Sequence, residues 1–434
     1  MISPARRVSF DLLCQIDLEG LHSDDAVNSQ AVARLELRDR PLATELIMGT
    51  LRWQGLLDHV LALASSRPWP KVDPRIKVLL RMSLHQMWQM NRIPDHALVN
   101  DAVEMAKRWI GVGAGSFVNA ILRRLARERP WQQAGFLDSL SRCAQVSLPR
   151  WLWERWAARF GETAAREYAL SLNEIPQMAF RIPGRPDSTV LEAMVEATAS
   201  DLVPGAYILK GEKKKPPAES IFPMRIQDEA SQLIPHLLGE VAGWSIWDAC
   251  AAPGGKSAIL CENTGKTGFV VSSDLSWQRS KALAHTLSGF RGSKPGILVL
   301  DARKTPSFRK TFDGVIADVA CSGLGTLRRN PDIKWRFRPE QLPALRSSQE
   351  QILNSVSDAV RRGGYLLYST CSTEPEENEE VVLAFLACHP EFKIVRPSHP
   401  AGVEALLDES GLLRTFPRTR LWDGFFAALM LRNS

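Results

Sequence analysis

Two cysteines, each followed at once by a serine, are the most reactive groups this chain offers. Cys321 stands in Asp318-Val319-Ala320-Cys321-Ser322-Gly323 and Cys371 in Ser369-Thr370-Cys371-Ser372. A thiol that gives up its proton is a nucleophile and can bond covalently to a substrate. The competing reading is a small buried hydrophobe, the usual fate of a free cysteine. Position argues against it, because both follow apolar runs, 312–317 and 364–369, that read as strands of one sheet. Cys14, Cys143, Cys261 and Cys388 have no such setting and read as fillers.

Four aspartates, Asp248, Asp274, Asp301 and Asp318, stand at or just after the ends of apolar runs. In an open α/β sheet ligands bind beyond the carboxyl ends of the strands, so acids repeated there point into one crevice. After the first comes Cys250-Ala251-Ala252-Pro253-Gly254-Gly255-Lys256, a turn of small residues that lets a ligand approach the backbone and leads into a helix whose first amides are free. Asp274 lies 26 positions after Asp248, close to the spacing at which a second-strand acid meets ribose hydroxyls; Asp301 would then meet an adenine. Neither the dinucleotide fingerprint nor a phosphate loop is present, so the expected cofactor carries ribose and adenine without phosphates. Helix capping is the plainer role for any one of these aspartates.

These groups need a doubly wound α/β domain to position them. From residue 241 onward, runs at 244–249, 268–273, 296–300, 312–317 and 364–369 alternate with helical stretches, the pattern of a parallel sheet, and 424–431 is expected to close it as an edge strand. Residues 1–135 read instead as a helical bundle: Ile76, Leu79, Leu80, Leu84, Met87 and Trp88 share one helix face, and Pro41, Pro74 and Pro94 mark helix starts. Residues 145–240 read as a small α+β region, with the tract Lys213-Lys214-Lys215 as an exposed loop.

At 434 residues, 45% hydrophobic and 24% charged, the composition is that of a globular, multidomain chain, and a net charge of +6 suits a polyanionic partner. Seven cysteines without a C-x-x-C pair fit neither a disulfide framework nor a zinc site, so reduced thiols and no metal are expected. No signal-like segment or membrane-length apolar run is found, which leads to the expectation of a cytoplasmic protein with no membrane partner.

Taken together, residues 248–256, 318–323, Arg329-Asn330-Pro331-Asp332-Ile333-Lys334-Trp335 and 369–372 resemble the RNA cytosine-C5 methyltransferases in order and spacing. The helical front end, with Asn119-Ala120-Ile121-Leu122-Arg123-Arg124, is similar to NusB-type RNA-binding domains. That fusion is the mark of the RsmB (Sun/Fmu) branch. The resemblance implies an all-α NusB-like bundle, an α+β linker region and a Rossmann-like class I methyltransferase domain. It implies S-adenosyl-L-methionine as cofactor and 16S (small-subunit) ribosomal RNA as partner, modified at cytosine 967 in standard rRNA numbering.

The resemblance also implies roles. Cys371 would add to carbon 6 of the base, Cys321 would assist release, and Asp318 and Lys256 would support the pocket. The turn of residues 250–256, with Asp274, Asp301 and Asp318, would hold the cofactor. Two departures stand out: Ala320 replaces the proline usual before the first cysteine, removing a ring that would fix the backbone, and Pro183 replaces an asparagine after Arg181. The basic and aromatic stretch Arg328, Arg329, Lys334, Trp335, Arg336, Phe337 and Arg338 is expected to grip RNA. For Arg123, Arg124, Arg127 and Arg129 a solvated helix face is the simpler reading, and Asp228 in Gln227-Asp228-Glu229-Ala230-Ser231 could be an N-cap. The alternatives are a non-catalytic RNA-binding or ribosome-assembly factor, or the same chemistry on tRNA or another rRNA site.

Overall fold

The computed structural model describes residues 2–90, 94–182, 197–209, 224–288, 293, 295–304, 308–416 and 422–433. The chain divides into two compact units: Met1–Ile175 with Leu327–Phe337, and Pro176–Thr326 with Arg338–Ser434. The stretch 145–240, read from sequence as one region, is thereby shared between them.

The first unit is all-helical. Its central helix, Pro74–Gln89, starts on a proline at the first helical position, where the missing amide costs nothing, and Asp73 caps it by accepting from the Arg75 amide at 2.8 Å. The stripe anticipated on its face is buried: Ile76, Leu79, Leu80, Leu84 and Met87 are all less than 9% exposed. They pack in one apolar core with residues of the helices Pro4–Glu19, Arg40–Arg52, Gln54–Ala64, Asp95–Trp109 and Val112–Glu128. Each such leucine contributes roughly 1.5–3 kcal/mol by leaving water.

The segment Leu327–Phe337 completes this unit from far along the sequence. Lys334 is fully buried, and its ammonium donates to the Arg52 carbonyl at 3.2 Å, the Ser147 carbonyl at 3.4 Å and Asn173 Oδ1 at 2.8 Å. Three acceptors for three N–H donors satisfy the cation, and one of them ends the helix Arg40–Arg52, where the dipole favours positive charge. Burial nonetheless pushes the Lys334 ammonium well below the ordinary lysine range, with nearby Arg52 adding to the effect. Arg328, 4% exposed, donates to Ser171 Oγ at 3.2 Å, and Trp335 Nε1 donates to the Leu51 carbonyl at 2.7 Å. The expectation that this stretch grips RNA is therefore corrected for Arg328, Lys334 and Phe337, which are buried in the helical unit; Arg336 and Arg338 are exposed.

The second unit holds two sheets. Strands β1 (Ala179–Arg181), β2 (Ala197–Ala199), β3 (Ala206–Leu209) and β4 (Arg225–Ile226) form an antiparallel sheet in the order β2-β3-β1-β4. Arg181 is buried in it, paired with Glu262 at 2.7 Å and donating to the Pro204 carbonyl at 2.8 Å, so it holds structure together. The Lys213-Lys214-Lys215 tract and Pro183 lie outside the described residues.

The larger sheet runs β10-β12-β9-β8-β5-β6-β7, with β11 beside β12. Its parallel part is β5 (Ser245–Asp248), β6 (Phe269–Asp274), β7 (Gly296–Val299), β8 (Phe312–Asp318) and β9 (Val360–Thr370). From β5 the chain turns first to β6 and later to β8 on the other side, so the strand order reverses at β5. The last strand, β12 (Phe426–Arg432), is not the edge foreseen. It runs antiparallel between β9 and β10 (Phe392–Ile394), with β11 (Leu413–Arg414) also pairing it, and its residues 426–430 are buried.

Candidate active site

The carboxyl ends of β5, β6 and β8 are Asp248, Asp274 and Asp318, and Asp301 follows β7 by two residues. Asp248 and Asp318, from adjacent strands, share a cleft of about 300 Å³ with residues 250–253, Gly255, Lys256, Arg225, Ile226, Gln227, Ser231 and Thr286. Asp274 and Asp301 sit outside its lining. Asp274 is buried, accepts from the Ser276 amide at 3.1 Å and pairs with Arg279 at 3.2 Å. Arg303 clasps Asp301 through two bonds of 2.9 Å, and this hydrogen bonding holds the Asp301 carboxyl below the usual range.

The turn after β5 is built as a cradle. Gly254 has φ +108°, in the left-handed region, and caps the helix Gly255–Thr264. A Cβ at Gly254 would lie 2.8 Å from Leu283 Cδ1, and one at Gly255 would meet the Gln227 side chain at 2.9 Å. Cys250 lies in this turn, where burial, the largest cause, pushes its thiol far above the ordinary range and leaves it unreactive.

Asp248 is 1% exposed, and its Oδ2 accepts from Ser257 Oγ at 2.6 Å. Its Oδ1 makes no close hydrogen bond among the described residues, although the Cys250 amide lies near enough to favour the ionised form, and Asp248 is one of the residues lining the cleft. Burial raises this carboxyl to about 7, the Ser257 bond opposing and the Asp318 charge adding to the shift. An unsatisfied acceptor beside a glycine cradle fits a ligand that brings a donor or a cation, as an amino-acid-bearing nucleoside does.

Lys256 points back across the cleft to Asp318, 2.7 Å away, and donates to Ser231 Oγ at 3.0 Å, with its ammonium 5.2 Å from the centre of the Phe425 ring. Burial would lower the lysine, but the charge and hydrogen bond of Asp318 outweigh it and the net shift is upward. Asp318 is oriented in turn by Ser369 Oγ at 2.7 Å. Asp228 is the N-cap of the helix Glu229–His236, accepting from the Ala230 amide at 2.9 Å, and also receives the Asp423 amide at 3.2 Å.

The loops beyond β8 and β9 bring Cys321 and Cys371 together, with 3.2 Å between the sulfurs. The Cys321 thiol is held well above the ordinary range, first by its hydrogen bond to Cys371 and then by burial. Ala320, in the place of the usual proline, is restrained by other means: its carbonyl accepts from Gln349 Nε2 at 3.0 Å, and the preceding Val319 amide donates to the Ser369 carbonyl at 3.1 Å. Gly325 packs so closely under this loop that a Cβ there would fall 2.9 Å from the Cys371 carbonyl oxygen.

Sequence reasoning did not find Glu377, which is fully buried and bonded to the serines after both cysteines. It lies in Glu376-Glu377-Asn378-Glu379-Glu380, a run for which the residues offered no reading. Roles for Arg225, Gln227, Ser231 and Thr286 in the cleft were also missed; only Gln227 and Ser231 carried a signal, as parts of the 227–231 element. In the helical unit, Arg124 and Arg127 pair with Glu128 at 3.0 and 3.4 Å, and Arg129 with Asp95 at 2.5 Å, in keeping with the simpler reading of that basic helix. Among the described residues no helix is long and apolar enough to cross a membrane, and no cluster of metal-ligating side chains occurs.

Comparison with known proteins agrees with this fold. Residues 236–431 match the family described as 16S rRNA methyltransferase RsmB/F, and residues 3–127 match the NusB family. A relative from Bacillus subtilis is 33% identical, covering 99% of this chain and 98% of its own. Ribosomal RNA small subunit methyltransferase B from Thermus thermophilus is 34% identical over 91% of this chain and 89% of its own. Among solved structures, the crystal structure of PH0851 superposes with a TM-score of 0.80 at 25% identity, covering 99% of both chains.

Proposed function

The chain belongs to the RsmB/F family of S-adenosyl-L-methionine-dependent RNA methyltransferases, and from that premise we propose that it methylates carbon 5 of a cytosine in small-subunit ribosomal RNA, cytosine 967 in standard numbering, through a covalent bond from Cys371. The observation that carries the reading is the pair of thiols 3.2 Å apart, beyond the adjacent strands β8 and β9, with Asp318 at the end of β8 paired to Lys256 from the helix after β5. S-Adenosylmethionine supplies an electrophilic methyl group. Gly254, Gly255 and Asp248 would hold it, and Asp274 and Asp301, which lie outside the cleft lining and are paired with Arg279 and Arg303, would have to exchange those partners to meet its ribose and adenine.

Carbon 5 of cytosine is a poor nucleophile. Addition of the Cys371 thiolate to carbon 6 breaks the 5,6 double bond and moves its electron pair onto carbon 5, which would then take the methyl group as the methyl–sulfur bond breaks and its electron pair stays on the departing thioether. The proton on carbon 5 must leave next; its electron pair re-forms the double bond and expels the Cys371 thiolate. Cys321 suits that second task. Its sulfur lies 3.2 Å from that of Cys371, so as a thiolate, its own proton given up to solvent, it would be within reach of carbon 5 to accept the proton leaving there. Lys256 and Asp318, paired at 2.7 Å in the cleft, would support the pocket. Because carbon 6 is inaccessible within a helix, the target base must be unpaired or flipped out.

The test combines labelled cofactor with unmodified small-subunit rRNA, followed by mapping of the labelled base. We expect incorporation at one cytosine, none with Cys371→Ala, and with Cys321→Ala an RNA–protein adduct that survives denaturing electrophoresis. An adduct that persists in Cys371→Ala would reverse the two roles. Label appearing only in tRNA or at another rRNA site would reassign the substrate, and no transfer despite cofactor binding would leave an RNA-binding factor.

A further inference from the structure

Cys321 and Cys371 are 50 residues apart in sequence, on separate loops, yet their sulfurs are in contact at 3.2 Å. Something must set that distance, and the usual proline is absent before Cys321. We infer that Glu377 is the positioning residue of the reaction: one buried side chain that fixes both cysteine loops in register, so that release can follow attack. The inference rests on the two-cysteine reading above.

The bonding pattern is specific. Glu377 Oε1 accepts from the Ser322 amide at 2.8 Å and from Gln349 Nε2 at 2.9 Å. Its Oε2 accepts from the hydroxyls of both Ser322 and Ser372, which also lie 3.1 Å from each other. Ser322 and Ser372 are the residues directly after the two cysteines, so the carboxyl group sits at the joint of both loops. Gln349 extends the clamp: the same Nε2 that donates to Glu377 also donates to the Ala320 carbonyl, one residue before Cys321. Both flanks of Cys321 are thus tied to one centre. On the other side Asn378 Nδ2 donates to the Ser372 carbonyl at 3.0 Å, while Asn378 Oδ1 receives the Thr370 hydroxyl. The base of the clamp is anchored by the Tyr368 hydroxyl, which donates to the Glu377 carbonyl at 2.6 Å.

Four donors on two oxygens of a fully buried side chain cannot be replaced by water at that site. The contacts to Oε1 require an acceptor there, because the Ser322 backbone N–H and the Gln349 Nε2 atom can only donate. Glutamine keeps one oxygen for those two donors and turns its amide toward the serine hydroxyls, which can rotate to accept. Alanine keeps neither. Attack needs Cys371 alone, whereas release needs Cys321 within reach of carbon 5, so loosening the register impairs the second step more than the first.

The full-length protein is assayed on small-subunit rRNA as parent, Glu377→Gln, Glu377→Ala, Cys321→Ala and Cys371→Ala, with turnover, cofactor affinity and the covalent adduct measured for each. We expect Glu377→Ala to lower kcat at least 100-fold with cofactor Kd changed less than threefold, and to accumulate the adduct as Cys321→Ala does. Glu377→Gln should recover at least tenfold of the lost kcat. Turnover within threefold of the parent in Glu377→Ala overturns the inference, as does loss of turnover without adduct while cofactor still binds. Should Glu377→Ala fail to fold, Glu377→Gln decides: adduct above the parent level with reduced kcat supports the clamp, and parental kcat and adduct level overturn it. An inactive parent, or adduct in Cys371→Ala, instead defeats the two-cysteine reading on which the clamp rests.

Discussion

Asp248 carries an acid–base consequence that its neighbours do not. Its carboxyl is buried, raised from 3.8 to about 7, and supported by one hydroxyl donor. A carboxyl raised in the folded state binds its proton more tightly there than in the unfolded chain. Its stabilising contribution is therefore fully present below pH 3.8 and is lost as pH rises toward about 7. The slope is about 1.4 kcal/mol per pH unit at most within that window. Asp248→Asn should remove it: without cofactor, the variant gains on the parent steadily between pH 5 and 7, and the gap is constant above pH 8. Chemical denaturation across that range measures it, and parallel curves for the two proteins would refute the assignment. The vacant Oδ1 gives this strain a use, since a cationic or donating group in the cleft would stabilise the ionised form.

Elements placed this carboxyl, and they were also the part most open to reading from the residues. Period and punctuation located β5, β6, β7, β8 and β9 within a few residues, because the interior strands must be apolar and a parallel neighbour demands a helix between; β7, at the sheet edge, is apolar although half exposed. The aspartates at their ends followed from the same pattern. What stayed hidden depends on partners distant in sequence. Strands β10 and β11, three and two residues long, carry too little pattern to register, and without them β12 reads as an edge. Lys334 reads as a phosphate grip and Glu377 gives no signal, because composition cannot show the carbonyls and hydroxyls that replace water around them. The small-residue turn around Gly254 was legible, its left-handed backbone was not, and that geometry has a measurable consequence. Gly254→Ala combines a left-handed φ with a methyl 2.8 Å from Leu283 and 2.9 Å from Thr286. We expect a stability loss of about 1–3 kcal/mol and at least tenfold weaker binding of S-adenosylmethionine by calorimetry; unchanged affinity would show that the turn does not touch the cofactor.

The molecule as a whole is divided in space differently from its division in sequence. The helical unit takes Met1–Ile175 and then borrows Leu327–Phe337, so the chain passes between units at residues 175–176, 326–327 and 337–338. A NusB-like match that stops at residue 127 gives no hint of this. The borrowed segment supplies the cation for the Arg52 and Ser147 carbonyls and for Asn173, and buries Leu327, Ile333 and Phe337. Residues 1–175 alone lack it, which leaves buried acceptors unpaired and an apolar site open to water, each unsatisfied group costing about 1–3 kcal/mol. A fragment ending at residue 175 should therefore unfold at lower temperature than the same fragment with a synthetic peptide of residues 327–337. At a peptide concentration 100 times its Kd the gain is about 2.7 kcal/mol. A peptide carrying Lys334→Met keeps most of the apolar contact but not the three hydrogen bonds, and should need at least tenfold more peptide for the same shift. A fragment indifferent to either peptide would show that the helices close their own core, and that Lys334 is buried as a consequence of folding and not as one of its supports.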